Sequence, residues 1–160
     1  MNLTPGLLSS LQKLRLFTDL SPTQVKRMFG ICKQEVFAAD SVLCRAGDDS
    51  DLMYVIISGS VDILGTHDLQ LAHEKAVTTI GETGLLSGEC RAASVRASTD
   101  VSALVIRKRP LLQLMQDDSA LAIRLYRNAM VLVRQKLIAA DERLERVLRD
   151  QGPAEPPSSS

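Results

Sequence analysis

The middle of the chain consists of short runs rich in valine, isoleucine and leucine, separated by glycine-containing turns, and this pattern restricts the possible folds more than any other feature. Six of the nine glycines fall between Gly47 and Gly88, and the segments AGDDSD, SGS and GTHD have residue types that favour turns. The predicted strands are 41–44, 53–57, 60–64, 69–73, 76–80, 94–97 and 101–107. So many closely spaced strands predict a small barrel or jelly roll.

Helical spacing of apolar residues flanks this central region on both sides. From about Leu7 to Cys32 the spacing predicts two short helices, and Ser21 followed by Pro22 is typical of an N-cap and a first helical position. After residue 110 the helical period returns, and no glycine or proline interrupts it from Ser119 to about residue 150. The sequence therefore predicts an α+β chain with N-terminal helices in 1–34, a β-roll in 35–110, C-terminal helices in 111–150 and a disordered Pro- and Ser-rich tail in 151–160.

The last predicted helix carries an unbroken apolar stripe. A helix of about 30 residues extends roughly 45 Å, which exceeds the width of a small roll, so its distal half needs another partner. We therefore expect a homodimer through a coiled coil, while packing of the stripe on the chain's own roll remains the alternative. In a parallel pair, Lys136 would face Asp141 of the second chain. The stripe has heptad spacing and comprises Ile123, Tyr126, Met130, Val133, Leu137, Ala140, Leu144 and Val147.

Charge and composition argue against several classes of function. The chain has 19 basic and 19 acidic side chains, whereas a domain that binds nucleic acid normally has a basic excess. No apolar run approaches the length of about 20 residues that spans a bilayer, and the first residues lack the order of a signal peptide, so we expect a cytoplasmic protein with no membrane contact. The three cysteines are widely spaced and suit reduced thiols. No catalytic or metal-binding arrangement is supported, and we expect neither an enzyme nor a metal site.

The segment Ile80–Ala97 combines residue types that suit a sugar phosphate. Gly81 allows close approach of the backbone, and Thr83–Leu86 can form one short helical turn with free amides at its start. The carboxylate of Glu82 can accept a hydrogen bond from a ribose hydroxyl, and the Arg91 guanidinium can neutralise a phosphate. A simple ion pair between these two side chains across a turn is the alternative interpretation.

The same segment resembles the phosphate-binding cassette of a known family. The stretches IGETGLL, SGEC and RAASVRA are similar to F-G-E-x-x-L-L, a spacer and P-R-[AST]-A-x-V-x-A in the cyclic-nucleotide-binding domain superfamily, in particular the bacterial catabolite activator protein family. Upstream, LFTDLSPTQVKRM resembles the opening helices of that family, and FAADSVLCRAGDDSDLMYVIISGSVDIL resembles its first strands, with Gly47 and Gly59 at turn positions. The resemblance covers about residues 14–150.

This resemblance implies a jelly-roll cyclic-nucleotide-binding domain with a long C-terminal dimerisation helix. It places Glu82 on the ribose 2′-hydroxyl and Arg91 on the cyclic phosphate, and it completes the cradle with the backbones of Gly81, Thr83 and Ala92. The lack of a hydroxyl at Ala92 favours cyclic AMP over cyclic GMP. The sequence also departs from the family, with Cys90 in place of proline and with Leu132, Lys136 and Leu137 where the activators present hydroxyls to the base.

In the activators a helix-turn-helix domain follows the long helix, and here only the ten-residue tail follows. The resemblance therefore implies a stand-alone receptor that does not bind DNA and that relays ligand binding to an unknown protein partner, with no cofactor beyond the nucleotide. Two alternatives stay open: an effector for cyclic di-GMP, and a ligand-free dimerisation or interaction module.

Overall fold

The computed structural model describes residues 5–150, so the predicted disordered tail lies outside the described residues. The α-helices within these residues are α1 (Pro5–Gln12), α2 (Pro22–Gly30), α3 (Glu82–Ser87), α4 (Lys108–Asp117) and α5 (Ser119–Asp150). The strands within these residues are β1 (Cys32–Phe37), β2 (Val42–Cys44), β3 (Leu52–Ser58), β4 (Ser60–Leu64), β5 (Gln70–Lys75), β6 (Thr78–Ile80), β7 (Ser94–Ala97) and β8 (Val101–Arg107).

The strands form two antiparallel four-stranded sheets, one in the order β1-β8-β3-β6 and the other in the order β2-β7-β4-β5. One tight turn at Gly59, with φ of +88°, passes the chain from β3 in the first sheet to β4 in the second. The buried face of each sheet contributes to a shared core that includes Ile56, Val61, Val95 and Val105. Because residues alternate between the two faces of each strand, the side chains on one face of each sheet line this core. The predicted α+β jelly roll is confirmed.

A second core lies between the first sheet and the helices. Met53 and Leu104 project from β3 and β8 towards Met28 of α2, Leu111 of α4 and Leu121 of α5, and all five side chains are at most 1% exposed. Both faces of β3 and β8 are therefore buried, which explains why these strands read as continuous apolar runs in the sequence.

The strand β1 was not predicted. Its residues, CKQEVF, mix charged and apolar side chains, and it pairs on one side only, with β8, at the edge of the first sheet. An edge strand can keep polar side chains in solvent, so its sequence carries little apolar periodicity. The predicted helix start, in contrast, is confirmed: Ser21 Oγ accepts from Gln24 N, and Gln24 Oε1 accepts from Ser21 N at 3.0 Å, which completes a capping box.

The start of α5 is tied to α2 by Asp118. Its Oδ1 accepts from Leu121 N at 2.9 Å, so the carboxylate caps α5. The side chains of Gln24 and Arg27 on α2 donate to the same carboxylate. The hydrogen bond from the Leu121 amide, followed by that from Gln24, holds the pKa of the Asp118 carboxyl below its ordinary value of 3.8. These hydrogen bonds fix the position of the first turn of α5 relative to α2.

We expect Asp118→Asn to destabilise the protein at neutral pH, because the amide loses the ion pair with Arg27. A carboxyl with a lowered folded-state pKa contributes stability that is fully present above its ordinary pKa and is lost as the pH falls through the folded value. The difference in free energy of unfolding between wild type and variant should therefore disappear as the pH falls below 3.8. Urea denaturation at pH 7 and at acid pH measures it, with Asp117→Asn as the matched control. A difference that is equal at both pH values would contradict this role.

None of the helices within residues 5–150 combines the length and apolar character that crossing a membrane requires.

Candidate functional site

The predicted cassette forms a turn, the short helix α3 and a loop that returns to β7. Gly81 lies between β6 and α3 with φ of +82°, a left-handed conformation that glycine adopts without strain. A Cβ atom at this position would overlap Nη1 of Arg91. The lack of a side chain at Gly81 therefore lets the guanidinium lie directly against the backbone at the start of α3.

Arg91 is buried, with 7% of the residue exposed. Its guanidinium donates to the Gly81 carbonyl at 3.4 Å and to the carbonyl of Leu52 at the start of β3. Burial raises the pKa of the nearby Cys44 thiol, and the positive charge of Arg91 opposes this rise. The arginine thus places a positive charge inside the fold, next to the turn that begins the cassette.

Glu82 is the first residue of α3 and is 1% exposed. Its Oε1 accepts from Nζ of Lys136 on α5 at 2.6 Å, while Thr83 Oγ1 lies 3.4 Å from the same oxygen. Among the described residues, Glu82 makes this one ion pair, and Arg91 is not its partner. The simple pairing of Glu82 with Arg91 that the sequence left open is therefore wrong.

Each of the two predicted ligand groups retains a polar atom without a protein partner. Glu82 Oε2 and Arg91 Nε are buried, and neither has a hydrogen-bond partner among residues 5–150. A buried polar atom without a partner costs free energy, about 1–3 kcal/mol for a neutral group and more for a charged one. Within residues 5–150, both charged side chains of the cassette therefore keep one hydrogen-bonding atom unsatisfied.

The other predicted site residues lie around this pair. Gly81 is half-buried, whereas Thr83 and Ala92 are exposed. The cassette therefore buries Glu82 and Arg91 and leaves Thr83 and Ala92 at the surface. Sequence reasoning missed Ser50, whose buried Oγ also has no hydrogen-bond partner among the described residues and lies against Gly84 of α3. Ser50 lies within the segment AGDDSD, whose residue types indicate only a turn.

The pairing of Lys136 with Glu82 was also missed, although the resemblance places this lysine where the activators present hydroxyls to the base. It lies 54 residues after Glu82, and its heptad position suggested a contact with a second chain. In the structure its ammonium binds Glu82 of its own chain, and the contact with Asp141 of a second chain stays a prediction. No local motif in the sequence could have indicated a pairing over this separation.

The apolar stripe of α5 forms a second candidate surface. The proximal residues Leu121, Leu125 and Ala129 pack into the core, but the stripe itself does not pack on the chain's own roll. Its large side chains are exposed by 36–68%: Ile123, Tyr126, Met130, Val133, Leu137, Leu144 and Val147.

A histidine and an aspartate form a further polar pair on β4 and β5. His73 Nδ1 lies 2.7 Å from Asp62 Oδ1, and the hydrogen bond with His73 lowers the pKa of the Asp62 carboxyl. Within the part of the chain that the structure describes, no group of three histidine, cysteine, aspartate or glutamate side chains could hold a metal ion.

The fold and site define a class: a jelly roll of two four-stranded antiparallel sheets, with a buried carboxylate and a buried guanidinium at the short helix that follows β6. Residues 34–118, more than half of the chain, match the family model described as the cyclic nucleotide-binding domain. The chain belongs to this family.

Individual relatives and structures agree with this family. The chain is 32% identical over 95 residues to a cAMP-dependent protein kinase regulatory subunit of Candida albicans, a match that covers 59% of this chain and 20% of that subunit. The chain thus spans about a fifth of the length of this relative. The N-terminal domain of a transcriptional regulator from Streptomyces coelicolor A3(2) superposes with a TM-score of 0.70 at 25% identity, covering 79% of this chain and 93% of that one. The Thermus thermophilus catabolite activator protein has the same fold, with a TM-score of 0.68 at 24% identity over 83% of this chain and 62% of that chain.

We expect Gly81→Ala to disrupt ligand binding, because the added methyl displaces the Arg91 guanidinium. The left-handed backbone alone should cost about 1–2 kcal/mol of stability. Gly88→Ala is the matched control: Gly88 also has φ of +82°, and no described atom lies within 4 Å of an added Cβ. Gly88→Ala should lose only this backbone cost in urea denaturation, whereas Gly81→Ala should lose more because the buried guanidinium is displaced. Only Gly81→Ala should lose nucleotide binding in calorimetry. Equal binding by the two variants would contradict the role of this close approach.

Proposed function

We propose that this chain is a non-enzymatic receptor for a cyclic nucleotide, cyclic AMP in preference to cyclic GMP, and that it relays binding to a partner protein. The observation that carries the proposal is the pair of buried, unpartnered polar atoms, Glu82 Oε2 and Arg91 Nε, within the cassette of a cyclic nucleotide-binding domain. An acceptor and a charged donor that are both shielded from water match the hydroxyl and the phosphate of a cyclic ribose phosphate.

Each site residue has a separate role in this proposal. Glu82 accepts a hydrogen bond from the ribose 2′-hydroxyl, and Arg91 neutralises the single negative charge of the cyclic phosphate. The backbones of Gly81, Thr83 and Ala92 complete the cradle. To reach the phosphate, the Arg91 guanidinium exchanges its contacts with the two backbone carbonyls, Gly81 O and Leu52 O, for a charge-assisted bidentate contact, which is the stronger interaction.

The preference for cyclic AMP rests on Ala92. In the family that the cassette resembles, binders of cyclic GMP commonly have a hydroxyl side chain directly after the arginine, and alanine supplies none. The 32% identity to a subunit that is described as cAMP-dependent is consistent with this preference.

The proposed receptor is a homodimer through the α5 stripe. Seven large apolar side chains at heptad spacing are exposed on one face, and a second copy of the same helix presents an identical, self-complementary face. Because α5 also contacts Glu82 through Lys136, a ligand at the cassette and a partner on α5 can influence each other. This helix is therefore the route by which the receptor relays binding.

Isothermal titration calorimetry with cyclic AMP, cyclic GMP and cyclic di-GMP tests the ligand. We expect one molecule of cyclic AMP per chain, bound more tightly than cyclic GMP. Tightest binding of cyclic di-GMP would make the chain an effector for that dinucleotide, and the absence of binding to all three would leave a dimerisation module. Either result would overturn the proposal.

A further inference from the structure

The ion pair between Lys136 and Glu82 joins the long helix to the ribose-binding carboxylate. The Lys136 Nζ to Glu82 Oε1 distance is 2.6 Å, and the side chain of Glu82 is 1% exposed whereas that of Lys136 is 58% exposed. The ammonium therefore keeps much of its hydration while it neutralises a carboxylate that has almost none.

The two oxygens of Glu82 have different surroundings. Oε1 has the lysine and, at 3.4 Å, the Thr83 hydroxyl, whereas Oε2 is buried and has no partner among the described residues. Holding one oxygen fixes the rotation of the carboxylate plane, so the direction of the second oxygen is also fixed. The lysine thereby determines where the free acceptor points.

The position of Lys136 itself depends on how α5 lies across the roll. The proximal part of α5 packs into the core through Leu125 and Ala129, and beyond Lys136 the guanidinium of Arg143 contacts the carbonyl of Leu71 on β5. The lysine thus lies between two contacts of the helix with the body of the protein, which keeps it at the cassette.

We propose that Lys136 is a positioning residue for nucleotide recognition: it binds Glu82 Oε1 and thereby orients Oε2 towards the ribose 2′-hydroxyl. This inference rests on the proposed function and adds a residue outside the cassette to it. It acts through the carboxylate and requires no contact between the lysine and the nucleotide. By reciprocity, a nucleotide that engages Oε2 strengthens the docking of α5 on the cassette.

The test compares two ligands that differ only in the hydroxyl concerned, cyclic AMP and 2′-deoxy cyclic AMP. In the full chain, Lys136→Met should weaken cyclic AMP binding about tenfold, a typical coupling between interacting groups. The same substitution should leave the affinity for the 2′-deoxy ligand unchanged, because that ligand has no hydroxyl to donate. Lys136→Arg, which keeps a cation at the site, should restore most of the loss.

Two further comparisons and a folding check make the result specific. In a Glu82→Ala background, Lys136→Met should cause no further loss, since the side chain through which it acts is gone. Arg134→Met removes an exposed cation two residues earlier on α5 and should have no effect. Circular dichroism confirms that the variants fold.

The outcomes separate this inference from the proposed function. An equal loss for both ligands would show a merely structural role, and tighter binding of cyclic AMP by Lys136→Met would show a competing lysine; either overturns the inference alone. If wild type binds neither ligand, the proposed function fails and this inference fails with it.

Discussion

Arg91→Ala is expected to weaken cyclic AMP binding about 30- to 1,000-fold, the effect of losing a charge-assisted contact of about 2–4 kcal/mol. The effect is large because Arg91 is buried beside the cassette turn, with 7% exposed, and a charge contact is stronger where water is excluded. Calorimetry measures the affinity directly. Glu82→Ala should weaken binding in the same way through loss of the ribose contact.

The controls for Arg91→Ala distinguish charge from geometry. Arg91→Lys keeps the charge but lacks the forked donors, so it should recover only part of the affinity. Arg96→Ala removes an arginine from β7 of the same cassette, where the side chain lies near Asp62, and it should bind as wild type does. Unchanged affinity of a folded Arg91→Ala variant would overturn the assignment of the phosphate site.

Leu137→Glu is expected to convert a dimer into a monomer. Leu137 is 60% exposed in the single chain and occupies the middle of the α5 stripe, so in a parallel pair the two copies meet at the seam. The dimer of the variant no longer buries two leucines, so dimerisation becomes less favourable by about 4 kcal/mol. This loss raises the dimer dissociation constant roughly 1,000-fold before the repulsion between the carboxylates is counted. Light scattering should change from about twice the chain mass of 17.5 kDa to the mass of one chain.

The neighbouring residue supplies the control for this substitution. Ile138 is 42% exposed and lies on α5 outside the stripe, so Ile138→Glu should leave the dimer intact. A wild-type mass of one chain at high concentration, or equal dissociation by both variants, would show that the stripe is not the interface.

The features that the sequence determined by itself are those with a short-range cause. The Val-, Ile- and Leu-rich strands, the Ser21 cap, the glycine turn at Gly59 and the long helix α5 all depend on residues a few positions apart, and each is present in the structure. The resemblance could identify the cassette because its glycine, glutamate and arginine lie within one short segment.

The features that only the tertiary structure decided depend on residues far apart in the chain. The pairing of Glu82 with Lys136 spans 54 residues, and that of Arg91 with the Leu52 carbonyl spans 39. Strand β1 is defined by its pairing with β8 and not by its own polar sequence. Packing of the two sheets and the long helix decides such contacts, since local periodicity places a side chain on a face but does not specify which distant group meets it.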